Sequence, residues 1–208
     1  FGDLLPLLEQ GIGDIAAGGL TITEERAARV AFSRPYLEDV AEVVVTHRRS
    51  PAPATLAELA GRRVVVVRGS SYVTSLRALD GELRAAGLAG IDLVEAAPEL
   101  SSEDLLEMAH AGIIEVTVVD RHIAQLWAGV LAGLRVHDDL AVAEGGAVAW
   151  AIRPDASELK AEIDAYLDTV RQGTLIGNVL FNRYYADQQF ISNPLSEPGL
   201  DGLIAFRD

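Results

Sequence analysis

The sequence predicts an α/β protein. Three observations carry that prediction: short, strongly apolar runs, segments of helical periodicity between them, and glycine or serine turns at the junctions. Runs as apolar as Val64-Val65-Val66-Val67 and Val116-Thr117-Val118-Val119 need cover on both faces, as strands of a parallel sheet have. Strands alternating with helices then imply right-handed crossovers. In order, 4–10 has helical spacing and ends at Gly11 and Gly13. Residues 14–22 read as a short strand broken by a glycine turn, and a helix follows from Thr23. A strand is expected over 40–46, broken by His47 to Pro53, and a short helix over 55–59. Strand 63–67, helix 71–86, strand 91–95 and helix 101–111 follow, the last closed by Gly112. Strand 116–119 leads into a helix through 131, and 147–152 is a further strand. Residues 156–185 are mostly helical with a break near Gly173, and the proline- and glycine-bearing stretch 193–208 resembles a linker. There is no internal repeat.

Composition narrows the function classes. The 208 residues suit one larger domain or two small lobes, and half of them are apolar. A formal charge of -14 argues against nucleic acid or an anionic membrane surface as partner. With no cysteine there is neither a disulfide framework nor a thiolate nucleophile. No stretch reaches the ~18 uninterrupted apolar residues of a membrane span. No signal peptide is visible, and the opening Phe1-Gly2-Asp3-Leu4-Leu5 reads like the interior of a domain, so the chain is expected to begin late.

Three segments can carry chemistry. In the first, Thr23 is a good N-cap, and Glu24 and Glu25 suit the positive end of a helix dipole, but Arg26 does not. A cation in a first turn calls for an anion in front of it. Gly19, Thr21 and Arg26 together offer a backbone approach, a hydroxyl and a bidentate fork for a carboxylate. The plain alternative leaves Arg26 solvated or paired to a nearby glutamate. In the second, Gly69, Ser70 and Ser71 join an apolar strand to a helix, where free amides and hydroxyls make an anion-binding corner. The serines as ordinary helix caps explain the same residues. In the third, Asp120 falls at the carboxyl end of an apolar strand, the edge where open α/β sheets hold ligands, and could accept from an ammonium group or cap the next helix. An α-amino acid, or the end of a peptide, carries both the anion and the cation that these segments suit.

Other chemistries lack their motifs. There is no GxxxxGK[ST] or GxGxxG, so no phosphate cofactor is expected. His47, His110, His122 and His137 show no metal-ligand spacing, no HExxH or EF-hand loop occurs, and no metal is expected. There is no GxSxG elbow and no segment suggesting a carboxylate pair for glycoside cleavage, so no catalytic residue is assigned. Trp127 and Trp150 are expected in the core or in a cleft wall.

The segment GDIAAGGLTITEERAARVAFSRPY (13–36) resembles the first-lobe signature of bacterial extracellular solute-binding proteins of the polar amino-acid type. The resemblance implies that Gly19, Thr21 and Arg26 hold the ligand's carboxylate and amino group. RGSSY (68–72) resembles the second-lobe helix start, implying that Gly69, Ser70 and Ser71 complete the carboxylate site. VTVVDRHIA (116–124) resembles the strand whose last residue, here Asp120, meets the α-ammonium. The implied architecture is the two-lobe type II periplasmic-binding-protein fold. Its lobes would be 1–46 with 147–190, and 47–146, with 191–208 as a linker and hinge crossings near Thr46 and Ala147. A lysine-type clamp near Arg68 is missing, which leaves side-chain selectivity open.

A narrower resemblance lies in EDLLEMAHAGIIEVTVVDRHIAQLWA (103–128) and GNVLFNRYYADQQFISNPLSEPGL (177–200). Both look like the binding-protein portion of the membrane-bound lytic murein transglycosylase F group. By that resemblance the chain is a sensor for an amino acid or a peptidoglycan stem peptide, in the periplasm or outside the cell, next to a lytic domain not included in it. The family normally opens with a further strand-helix-strand unit, so the first lobe is expected to lack it. Rival expectations are an enzyme (a small-molecule lyase on this fold, or a lytic transglycosylase as the complete protein) and a purely structural domain with an empty cleft.

Overall fold

The computed structural model describes residues 1–171 and 173–181. Its elements are α1 (Leu4–Glu9), β1 (Ile15–Thr21), α2 (Glu24–Ala27), β2 (Ala31–Phe32), β3 (Leu37–His47) and a 3-10 turn (Leu56–Leu59). Then come β4 (Arg63–Val66), α3 (Ser71–Ala85), β5 (Asp92–Glu95), α4 (Ser102–His110), β6 (Val116–Asp120) and α5 (Arg121–Ala128). The chain continues with β7 (Leu134–Ile152), α6 (Ser157–Val170) and α7 (Leu175–Phe181). The end of the expected last helix, 182–185, and the 191–208 linker lie outside the described residues.

The strands form a single open mixed sheet, ordered β1-β7-β3-β6-β4-β5, with β2 also pairing β7. Strand β4 runs parallel to β5 and β6, and β3 runs antiparallel to β6 and β7. The apolar runs become strands here because their side chains are covered: every residue of β6 is buried. The main core joins Val43, Val44 and Val45 to Val64, Val66, Val116 and Val118 beneath α3, α4 and α5. Burying a valine or leucine fully stabilises the fold by about 1.5–3 kcal/mol. A smaller cluster of Leu5, Leu8, Leu20 and Val30 holds α1 onto β1, and Ile152, Ile163 and Leu167 tie α6 to β7.

Two differences from the sequence expectations follow from the register. First, β7 is a 19-residue strand rather than 147–152 alone, and α5 ends at Ala128 rather than 131. Strand β7 meets β3 through repeated register shifts, so that Val43 faces Ala141 while Val44 faces His137. Each shift breaks the two-residue alternation by which a strand is recognised. Second, 42–46 is in register with Asp120 back to Val116, so this stretch belongs to the part of the sheet built with β6. Against β7 the irregularity of β3 runs from 37 to 44, and Asp39 within it has a positive φ of 56°. Opposite it stands Gly146, where a Cβ would lie 3.1 Å from the Val40 carbonyl. A side chain there would push the two long strands apart.

Helix α2 starts as its residues dictate. The Thr23 hydroxyl accepts from the Arg26 backbone N–H at 3.3 Å. Thr23→Ala is therefore expected to lower stability by about 1 kcal/mol. A urea midpoint that does not move would show that the tertiary contacts of Arg26, and not the cap, hold this turn.

Candidate functional site

The functional residues expected from sequence converge. Gly19, Thr21, Arg26, Ser70, Ser71 and Asp120 line one cavity of about 370 Å³. Gly69 lies beside it, lining a second recess of about 200 Å³ shared with Arg26, Ser70 and Ser71. The walls come from β1 and α2 on one side and from the carboxyl ends of β4, β5 and β6 on the other. That edge is where parallel strands present free backbone groups.

Arg26 is 7% exposed and has no ion-pair partner among the described residues. Its Nη1 donates to the Thr21 carbonyl at 2.7 Å and its Nη2 to the Gly69 carbonyl at 2.9 Å. The guanidinium thus bridges β1 to the turn before α3, and it stacks over the Phe1 ring at 5.8 Å. Burial pulls its pKa below the usual arginine value, and the Glu42, Glu25, Tyr72 and Asp120 charges oppose that pull. Nε and one N–H on each terminal nitrogen have no acceptor among the described residues. Those donors form a fork suited to a carboxylate.

The two glycines let the backbone approach. Gly19 has φ of +67° where the β1–β7 register shifts, and a Cβ there would meet nothing within 4 Å. Gly69 has φ of +69°, and a Cβ there would lie 2.9 Å from the Gly2 Cα. Its left-handed conformation turns its carbonyl to Arg26. Gly69→Ala should therefore lower stability by about 1–2 kcal/mol, which a thermal melt would register. The same variant should weaken whatever Arg26 binds.

Ser70 and Ser71 divide their work. The Ser70 hydroxyl donates to the Val67 carbonyl at 2.7 Å, and the Ser70 amide turns to the same oxygen at 3.3 Å. Neither is therefore free as a donor, and Ser70 makes no side-chain cap to α3. Ser71, the first residue of that helix and 5% exposed, is left to present its amide.

Asp120 is 4% exposed and, although it precedes α5, makes no side-chain cap. Its Oδ1 is buried with no hydrogen-bond partner among the described residues. The Tyr72 hydroxyl sits against it, accepting from the Asp120 backbone N–H at 3.2 Å. Glu42 is its cross-strand neighbour in the β3–β6 register, and Glu42 Oε2 is likewise buried and unpartnered. Burial, then the Glu42 charge, push the Asp120 pKa up to about 7, against the Tyr72 hydrogen bond and the Arg26 charge. A buried acceptor with a raised pKa is what an incoming ammonium group would satisfy.

Sequence reasoning missed Glu42 and Tyr72. Glu42 is an isolated acid in an apolar strand run, and a buried acid in such a run was the available signal. Tyr72, directly after the serine turn, drew no assignment of its own; it is buried, and burial holds its hydroxyl well above the usual tyrosine pKa. Trp127 lines the cavity, as a cleft-wall residue would, whereas Trp150 packs with the α6 cluster. No group of three or more His, Asp or Glu side chains suited to a metal occurs among the described residues. No helix among them is long and apolar enough to cross a membrane.

Comparison with known proteins agrees with this architecture. Membrane-bound lytic murein transglycosylase F of Saccharophagus degradans is 32% identical over 184 residues, covering 88% of this chain and 35% of that protein. The protein of the same name from Pseudomonas syringae pv. tomato is 35% identical over 173 residues, covering 82% and 33%. The chain thus spans about a third of the length of the curated relatives it matches. Among solved structures, the substrate binding protein of an amino acid ABC transporter superposes with a TM-score of 0.75 at 18% identity, covering 90% of this chain and 77% of that one. The arginine-bound form of truncated ArgBP from T. maritima gives 0.65 at 27% identity, covering 81% and 73%. The fold is that of type II periplasmic amino-acid-binding proteins. Residues 1–185 match the family as a whole, and the chain belongs to the bacterial extracellular solute-binding proteins, family 3.

Proposed function

We propose that the chain is a ligand-binding domain that takes an α-amino acid, free or at the end of a peptidoglycan stem peptide, in the cavity between Arg26 and Asp120. The observation that carries this is the pairing, across one cavity, of a buried guanidinium with unused donors and a buried carboxyl oxygen with no partner among the described residues. The ligand's carboxylate meets Arg26, Thr21 and the Ser71 amide, with Gly19 and Gly69 keeping the approach open and Ser70 shaping the turn. Its ammonium meets Asp120. The relatives in solved structures are described as bound to amino acids, which supports the same class of ligand here.

The lobes would move about the crossings of β3 and β7. We place these at 37–41 and 143–148, within the stretch where β3 and β7 lose regular register, whereas Thr46 pairs in register with Val116 of β6. A ligand that touches both walls favours the closed arrangement by its differential contacts. Titration calorimetry with L-amino acids and stem peptides tests the reading. Heat of one-to-one binding from one ligand class is expected, and silence across the panel would overturn it.

The names of the curated relatives favour a second statement about the complete protein. There this domain would serve as the regulatory module of a lytic transglycosylase-like protein outside the cytoplasm, with cleavage residing in a part of the protein beyond this chain. Zymography on peptidoglycan separates the two roles, since this chain alone should clear nothing.

A further inference from the structure

The charges on the cavity wall do not balance for a ligand with one carboxylate and one ammonium. Among the described side chains lining it, Arg26 is the one guanidinium or lysine-type cation, while Asp120, Glu99 and Glu103 are three carboxyl groups. His122 also faces the cavity, and burial holds its imidazole below the usual histidine range, so it adds no positive charge at pH 8. An amino acid held as proposed above matches Arg26 and Asp120 and leaves Glu99 and Glu103 over.

These two glutamates differ from their neighbours. Glu95 pairs with Arg77, and Asp104 is consumed by the capping box with Ser101. Glu99, in the loop after β5, and Glu103, in the first turn of α4, make no ion pair or side-chain hydrogen bond among the described residues. The same cavity is also lined by the apolar side chains Ile123, Leu126 and Trp127 of α5. Such a wall suits the methylene stem of a long side chain whose charged head lies beyond it. The buried, unpartnered Oδ1 of Asp120 is independent evidence that the cavity is built to receive positive charge. The chain's net charge of -14 raises the local concentration of cations in the same sense.

We propose that the cavity selects an α-amino acid whose side chain ends in a cation, with Glu99 and Glu103 facing that second charge. This rests on the amino-acid reading of the same cavity. The probes are L-arginine and L-lysine against L-citrulline and L-norleucine, their neutral counterparts of similar shape, titrated into this chain at pH 8. L-arginine is expected to bind roughly tenfold tighter than L-citrulline, the scale of two partly exposed charge contacts. In the Glu99→Gln/Glu103→Gln variant the arginine-to-citrulline ratio should fall toward one, and added salt should narrow it in the parent chain. Equal or tighter binding of L-citrulline, or an unchanged ratio in the variant, overturns this inference and leaves the amino-acid site standing. Failure of all four probes and of the wider amino-acid panel overturns both. A thermal melt of the variant checks that it is folded before the ratio is read.

Discussion

Arg26→Ala is expected to abolish most of the amino-acid affinity, a loss of about 2–5 kcal/mol measured by titration calorimetry at pH 8. The magnitude follows from burial. At 7% exposure the guanidinium is shielded from water, so its contact with a ligand carboxylate is not discounted as a surface ion pair would be. The same substitution removes the donors to the Thr21 and Gly69 carbonyls, so part of the loss could come from a displaced β4–α3 turn. Arg26→Lys separates the two effects. A lysine keeps the charge and can reach one carbonyl, but it lacks the planar fork that serves two carbonyls and a carboxylate together. If the fork binds ligand, Arg26→Lys should melt near the parent and still lose at least tenfold in affinity. A loss below about tenfold in Arg26→Ala would remove Arg26 from the carboxylate site.

Arg26 was legible in sequence because it breaks a local rule, a cation in the first turn of a helix. Local rules of that kind need no tertiary information. Asp120 was legible for a related reason, since a charged residue ends a run of buried ones. The partners that tune them were not. Glu42 reaches Asp120 across β3 and β6, a pairing of residues far apart in sequence, and Tyr72 reaches it from α3. Nothing in the sequence singled out Glu99 and Glu103, and only the folding of α4 beside β6 brings them to the cavity that Arg26 also lines. The strands behaved similarly. Strands β4 and β6 are short, apolar and regular, and their spans were readable to within a residue. The outer half of β7 carries Asp138, Asp139, Glu144 and two glycines, and its bulges against β3 erase the alternation.

The pH dependence of binding should run opposite to the pH dependence of stability, and Asp120 is the reason. Its pKa, raised to about 7 by burial and the Glu42 charge, lies above the unfolded value. A carboxyl group raised in this way contributes stability that is full below about pH 4 and is lost as pH climbs through 7. The groups packed around it are Glu42 from β3, Tyr72 from α3, Arg26 from α2 and His122 from α5. Burial lowers the His122 pKa below the usual histidine value. A ligand ammonium needs Asp120 ionised, so binding must expel the proton wherever the free protein holds it. Affinity should accordingly rise with pH and level off above 7, about 30-fold weaker near pH 5.5 than near pH 8 for one proton released. Calorimetry at pH 6 in buffers of different ionisation heats would count that proton directly. Asp120→Asn removes the titrating group: binding should weaken by about 2–5 kcal/mol at pH 8, and both pH slopes should flatten together. An affinity already flat from pH 5.5 to 8 in the parent chain would mean that Asp120 stays ionised in the free protein, or never meets the ligand. Stability against pH then decides between the two, because a buried carboxylate that stays ionised to pH 5.5 leaves the melt unchanged over that interval.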